Sequence, residues 1–517
     1  MDNSFLLSLI TFSPLLAILI LLLVPKSQIT IIKQLGILGT ILPLILATML
    51  FVSFDYHQIG MQFYEHASWI QIPLSLMADN QTYYLNIDYE MGVDGISMPL
   101  VFMTSIIATL AAVASWNIKK RTKEYFILFH LLLIGMFGVF TAQNLLLFFL
   151  FFELTLVPMY FLIGIWGYVD REKAANRFLI YNGIGSAIML LGFIAMLFVS
   201  SLVSPEPTIS IWRLVEALTT PGNAFVTNVP ESFKFGLFMA FVIAFGIKLP
   251  IFPFHSWMLK VHVQAPPAIV MIHSGILLKM GAYGLLRMGI GFFPDVAQKM
   301  AVGMAILGLI NILYGATLAF VQRDLKMVLA YSSISHMGVI LLGFAAMNLF
   351  GFQGAMFQVI SHGFISALMF FLIGVIWERT GTSQIDELGG LAKSMPFVSG
   401  VFLAGGMASL GLPGMSGFIS EFFAFLGLFG SHPVLAAIGA LGLIVTAVYV
   451  LRAIMAATFG PTPTKYQQLA DAQPMEVIPI VVLLGFIILI GIYPAMLSNP
   501  LQETLKTLVI QVTGIGG

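Results

Sequence analysis

About fourteen stretches of roughly 20 apolar residues recur along this chain, and a run of that length crosses the ~30 Å hydrocarbon core of a bilayer as a helix. They span residues 5–24, 35–54, 96–114, 125–140, 145–166, 178–203, 235–257, 269–286, 300–320, 327–347, 355–377, 397–429, 434–459 and 477–497. The first is too long and too uncharged at its start for a cleaved signal peptide, so it is expected to be the first helix. The pattern predicts an all-α polytopic membrane protein. The polar segments 55–94 and 204–234 between the spans are too short to be an enzyme domain.

Composition closes off other classes. Of 517 residues, 59% are hydrophobic and 9% charged, against roughly 25% charged in soluble domains. Lys plus Arg and Asp plus Glu are both 23, so no excess of basic charge is available for nucleic acid. The absence of cysteine excludes disulfides, thiolate zinc sites and cysteine-ligated iron–sulfur clusters. No cofactor or metal is expected on this chain, and any redox chemistry belongs to a partner.

Basic residues are retained on the cytoplasmic side of a span. With both termini outside, about sixteen Lys and Arg fall at cytoplasmic ends and about five at outer ends, which favours that orientation and an even number of crossings. Lys248 and Lys279 belong to neither set, because each sits inside an apolar stretch.

A charge in the middle of a span costs about 2.5–3.5 kcal/mol even on the mild insertion scale. Four ionisable residues bear that cost: Glu153 in the fifth span, Lys248 in the seventh, Lys279 in the eighth and Glu421 in the twelfth. A single such residue could be polar glue between helices. Four, two of each sign, point to a charge pathway. Burial disfavours the ionised form of either residue type, while an opposite charge at ~4 Å in an effective dielectric of about 20 is worth ~4 kcal/mol. Separating Glu153 from Lys248 is therefore expected to drive proton release from the lysine.

The backbone is interrupted beside two of the four. In Lys248-Leu-Pro250-Ile-Phe-Pro253 each proline removes an amide donor and clashes one turn back. Gly411-Leu-Pro413-Gly414-Met-Ser-Gly417 breaks the twelfth span in the same way. Broken helices in corresponding halves, each next to an intramembrane charge, are the pattern of an inverted-repeat transporter.

Histidines extend the series. His273 precedes Lys279, His336 lies in the tenth span and His362 in the eleventh. Imidazole accepts and releases protons near neutral pH, so these three are expected to act as relays. No pair has the helical i, i+4 spacing of a metal site. His130, His255 and His262 lie near span ends and are expected to be structural or solvated.

The runs LLLFFLFFELTLVPMYFLIGIWG, IKLPIFPFHSWMLKVHVQAPPAIVMIHSGILLKMGAYGLLR, RDLKMVLAYSSISHMG and GLPGMSGFISEF, with GVDGIS at 92–97, resemble the antiporter-like membrane subunits of proton-pumping NADH:quinone oxidoreductase, respiratory complex I. Subunit M, called chain 4 in mitochondria, is the nearest in pattern, and the resemblance covers nearly the whole chain. It implies fourteen helices with discontinuous helices seven and twelve. It also implies helices one to three in 1–115, inverted five-helix repeats in 116–290 and 291–460, and helix fourteen with the tail in 461–517. By the same resemblance Glu153, Lys248, Lys279 and Glu421 carry proton translocation and His336 and His362 lie on the hydrophilic axis. Flavin, iron–sulfur clusters and quinone are then expected on partner subunits of a bacterial cell membrane complex.

This sequence departs from the family pattern in three places. Family members often read WLPDAH where this chain has Trp257-Met-Leu-Lys260-Val-His262. His273 replaces a commonly apolar residue, and Asn144 a commonly acidic one. Alternative readings are a subunit of a multisubunit sodium/proton antiporter, a membrane-bound hydrogenase relative, or a passive scaffold.

Overall fold

The computed structural model describes residues 5–74, 83–203, 207–220 and 229–514. Helices dominate, and twelve among the described residues are long and apolar enough to cross a membrane. They begin with α1 (Leu6–Leu23), α2 (Ile29–Ser53), α3 (Ser97–Ala114), α4 (Thr122–Thr141), α5 (Leu145–Trp166) and α6 (Arg171–Val203). After α7 (Glu231–Lys248) and the short helix Ser256–Gln264 come α8 (Pro267–Ile290), α9 (Ala301–Val321), α10 (Leu325–Ala345) and α11 (Leu349–Thr380). The last two of the twelve are α14 (Pro433–Thr458) and α15 (Pro474–Ile492), and outside that set lie the shorter apolar α12 (Pro396–Ser409) and α13 (Ser416–Ser431) and the C-terminal α16 (Ala495–Thr513). The seventh and twelfth apolar stretches are interrupted, α7 ending at Lys248 and α12 at Ser409.

Burial sorts the helices. The most apolar stretches of α8 and α11 are wholly buried within the chain, whereas that of α2 is 28% buried. Outer helices expose large apolar side chains such as Leu23, Val52, Ile444 and Ile492, as expected of surfaces that face lipid rather than water. His273, Lys279, His336 and His362 stand instead buried on α8, α10 and α11, where protein can solvate them.

One polar segment does more than connect spans. Gln62–Leu74 (β1) and Tyr83–Val93 (β2) pair antiparallel, because aromatic and β-branched residues recur there with period two. The hairpin braces α1: Glu65 Oε1 accepts the Leu7 amide at 2.7 Å, and Oε2 accepts the Ser8 amide at 3.2 Å. It thereby satisfies donors that a helix start leaves bare.

Past β2, Asp94 performs two tasks. Its Oδ1 accepts the Ile96 and Ser97 amides, each at 3.0 Å, at the start of α3. The same carboxylate pairs with Arg287 on α8. Asp94→Ala should cost ~3–5 kcal/mol, since it strands a largely buried guanidinium. A double-mutant cycle with Arg287→Met, read by thermal unfolding of the purified complex, should recover much of that loss, and purely additive losses would show that the pair is not the cause.

Candidate functional site

Glu153 lies half-buried on α5, and its Oε1 has no hydrogen-bond partner. It faces the buried Lys248 electrostatically, with no ion pair within 4.0 Å between them. Lys248 Nζ also lacks a hydrogen-bond partner. It sits over the rings of Phe152 and Phe178, 4.9 and 5.5 Å from their centroids. An ammonium held by ring faces is stabilised without being fixed by a donor–acceptor pair.

The interruption after Lys248 is satisfied from elsewhere in the protein. The Trp257 indole N–H donates to the Ile247 carbonyl at 3.0 Å. Asn311 Oδ1, on α9, accepts the Phe252 amide at 2.8 Å. Pro250 and Pro253 thus break the helix while neighbours close its polar gaps, as membrane depth requires. Neither Trp257 nor Asn311 stands out in the sequence; an asparagine inside an otherwise apolar span was the available signal.

Beyond Lys248 the rings of Phe178 and Trp257 lie 6.1 and 5.4 Å from that of His273. His273 stands within electrostatic range of both Lys248 and Lys279. Its Nδ1 is 2.9 Å from Nε2 of His262. One nitrogen of that pair must carry the bridging proton. His262 is buried and paired, not solvated: the short helix Ser256–Gln264 turns it inward. His130 and His255 contact the Gly36 carbonyl and the Tyr314 hydroxyl at 3.0 and 3.1 Å, which fits structural roles.

The backbone of α8 widens into π-type turns at His273–Leu277 and Leu285–Ile290, a local departure that recurs at functional sites. Lys279 donates to the Ser274 carbonyl at 2.6 Å and reaches His362 Nδ1 at 2.7 Å. The His362 and His336 rings lie 5.3 Å apart. Between them and Ser332, Ser333 and Ser409 is a cavity of about 10 Å³, roughly one water in size.

His336 Nε2 meets Ser409 Oγ at 3.2 Å, while Gln358 Nε2 donates to its Nδ1 at 3.1 Å. Glu421 Oε1 is 3.7 Å from the same Nδ1, too long for a direct hydrogen bond. The break between α12 and α13 makes this arrangement possible. Gly411 and Gly414 adopt φ of 78° and 91°, a region that favours glycine. A Cβ on Gly411 would sit 2.5 Å from Glu421 Oε2, and one on Gly417 would lie 2.1 Å from the Ala408 carbonyl. Pro413 lies in the same interruption, and Gly417 lies in the first turn of α13.

The polar side chains therefore run from Glu153 through Lys248, His273 and Lys279 to His362, His336 and Glu421. They run from helix to helix rather than around one pocket. Asn144 is the N-cap of α5, its Oδ1 accepting the Leu146 amide at 3.0 Å.

Residues 142–447 match the family described as NADH:quinone oxidoreductase/Mrp antiporter, TM, and residues 37–141 match NADH-ubiquinone oxidoreductase chain 4, amino terminus. The chain belongs to the chain 4 family of antiporter-like NADH:quinone oxidoreductase subunits. NAD(P)H-quinone oxidoreductase chain 4 proteins of a Synechococcus and a Picosynechococcus species are 37% and 39% identical to it. Those alignments cover 90% and 94% of this chain and 84% and 88% of theirs. A chain of respiratory complex I from Thermus thermophilus superposes with a TM-score of 0.81 at 27% identity, over 98% of this chain and all of that one. A chain of the Mrp complex from Dietzia sp. superposes at 0.79 with 19% identity over 99% of this chain and all of its own, a likeness of fold alone. Family membership makes this a membrane subunit of a multisubunit translocase.

Proposed function

We propose that this chain, a proton-translocating membrane subunit of a complex I-type quinone oxidoreductase, moves protons along the series Glu153, Lys248, His273, Lys279, His362, His336 and Glu421. The observation that carries the proposal is the 2.7 Å contact from buried Lys279 to His362, at the centre of a line of titratable groups in which Lys248 and Lys279 lie within electrostatic range of His273 and Glu421 lies 3.7 Å from His336. Electron transfer to quinone, through flavin and iron–sulfur clusters, takes place on partner subunits. It drives charge separation between Glu153 and Lys248, which shifts the lysine toward proton release.

Fourteen crossings, ten of them in two inverted five-helix repeats at 116–290 and 291–460, with both termini outside in a bacterial cell membrane, complete the proposal. Local architecture supports the repeats. Asn144 caps α5 and Asp324 caps α10, and each forms an isolated bridge to a following segment, at Ser210 and Gln384.

The test uses inverted membrane vesicles from the native host at equal assembly of the complex. Acidification of the lumen should require electron donor and quinone, and should fall in Glu153→Gln, which removes one end of the series. Sodium/proton exchange driven by an imposed sodium gradient alone would favour an antiporter, and unchanged pumping in the variant would make the chain a scaffold.

A further inference from the structure

The hairpin carries a second cluster of ionisable groups that has no part in the polar series. His66 on β1 lies directly opposite Glu90 on β2, and Asp88 follows two residues earlier along β2. Side chains alternate along a strand, so the three share one face of the ribbon. A ligand atom from each falls within 4.8 Å of the others, and His66 Nε2 is 3.1 Å from Asp88 Oδ2.

Glu90 is the unusual member. Its side chain is 1% exposed, and no Lys or Arg among the described residues comes within 4.0 Å of it. The Tyr64 hydroxyl donates to Oε1 at 3.1 Å, while Oε2 is buried without any partner. Tyr64 remains a hydroxyl donor at any physiological pH: burial, then the adjacent Glu90 carboxylate, push it up to about 12. A buried carboxylate oxygen left unpaired is costly, and the Glu90 carboxylate brings an oxygen within 4.8 Å of an imidazole nitrogen and of a second carboxylate.

We propose that His66, Asp88 and Glu90 form a binding site for a divalent transition cation of the zinc type, held across the two strands. One imidazole and two carboxylates give a mixed nitrogen and oxygen donor set that suits such ions. Ligand bonds of about 2.0–2.2 Å lie within reach of small side-chain rotations from the present geometry. Tyr64 then orients Glu90 from behind, as outer partners of metal ligands do. Helical i, i+4 spacing misses the site because its ligands come from paired strands. The cation would also stiffen the ribbon where it meets the start of α5, since the Gln143 amide donates to the Glu90 carbonyl at 2.9 Å.

The test is equilibrium binding of radioactive zinc ion, alone in chelator-treated buffer, to the purified intact complex. His66 is exposed, so His66→Ala should fold normally and lose one zinc equivalent. Glu90→Gln keeps the volume and the bond from Tyr64, and should weaken that site about tenfold or more. His57→Ala, an exposed histidine outside the cluster, should bind as wild type. Equal stoichiometry and affinity in wild type, His66→Ala and Glu90→Gln would overturn the site. Loss of zinc in His57→Ala to the same degree as in His66→Ala would do so too, by assigning it to general surface histidines.

Discussion

Lys279→Met should reduce donor-driven proton translocation through this chain to background while the complex still assembles. The lysine is fully buried at the middle of the series, donating to the Ser274 carbonyl and touching His362. Methionine has similar length and flexibility, so the packing of α8 survives. What is lost is the hydrogen-bond partner of one carbonyl, worth about 1–3 kcal/mol, small for a helix wholly enclosed by its neighbours. On the proposed path the proton carrier itself is gone, and the two histidines beyond it lose their donor. Lys279→Arg separates the two ways in which lysine could act. A guanidinium keeps the charge but does not deprotonate in proteins, so it should fail as completely as methionine. Proton release in vesicles, normalised to assembled complex, decides the matter. Wild-type pumping in Lys279→Met would remove the lysine from the path, and rescue by arginine would mean that charge alone, without proton transfer, does the work.

The four intramembrane charges were legible because each one violates the hydropathy of its span, and the two interruptions because proline and glycine announce themselves. Hydropathy reports depth, however, and not direction. It could not tell that His262, close to a span end, turns inward to meet His273 at 2.9 Å. Nor could it pair Asn311 with the Phe252 amide, 59 residues away. Such contacts come from tertiary packing, which fixes partners that local pattern leaves open. The hairpin was hidden for a related reason: its alternating residues sit in a segment whose polarity, taken as an average, reads as a connection. Bulges between Gln62 and Glu65 and between Ser68 and Ile70 further blur the period of two. His273 shows the opposite case. As a departure from the family pattern it stood out in the sequence, and the structure puts it between the two lysines.

Gly354→Val should prevent stable assembly, although it touches no titratable group. A Cβ at Gly354, on α11, would lie 2.1 Å from the Ala424 amide nitrogen and 2.6 Å from its Cα, both on α13. The obstruction is backbone, which cannot rotate away. Further along the same contact, a Cβ on Gly427 would meet the Gly351 amide nitrogen at 2.3 Å. The two helices therefore touch main chain to main chain, the arrangement that small residues permit in membranes. Overpacking typically costs 1–3 kcal/mol and occasionally more, and a branched residue against fixed backbone belongs at or above the top of that range. The helices must separate, and α13 carries Glu421 with it, widening the 3.7 Å approach to His336. Native electrophoresis of solubilised membranes should show loss of the intact complex, with any surviving fraction poorly coupled. Gly400→Val is the control. Gly400 is exposed on α12 and a Cβ there meets nothing within 4 Å, so this variant should assemble as wild type. If both variants assemble equally, backbone contact between α11 and α13 is not what holds Glu421 in register.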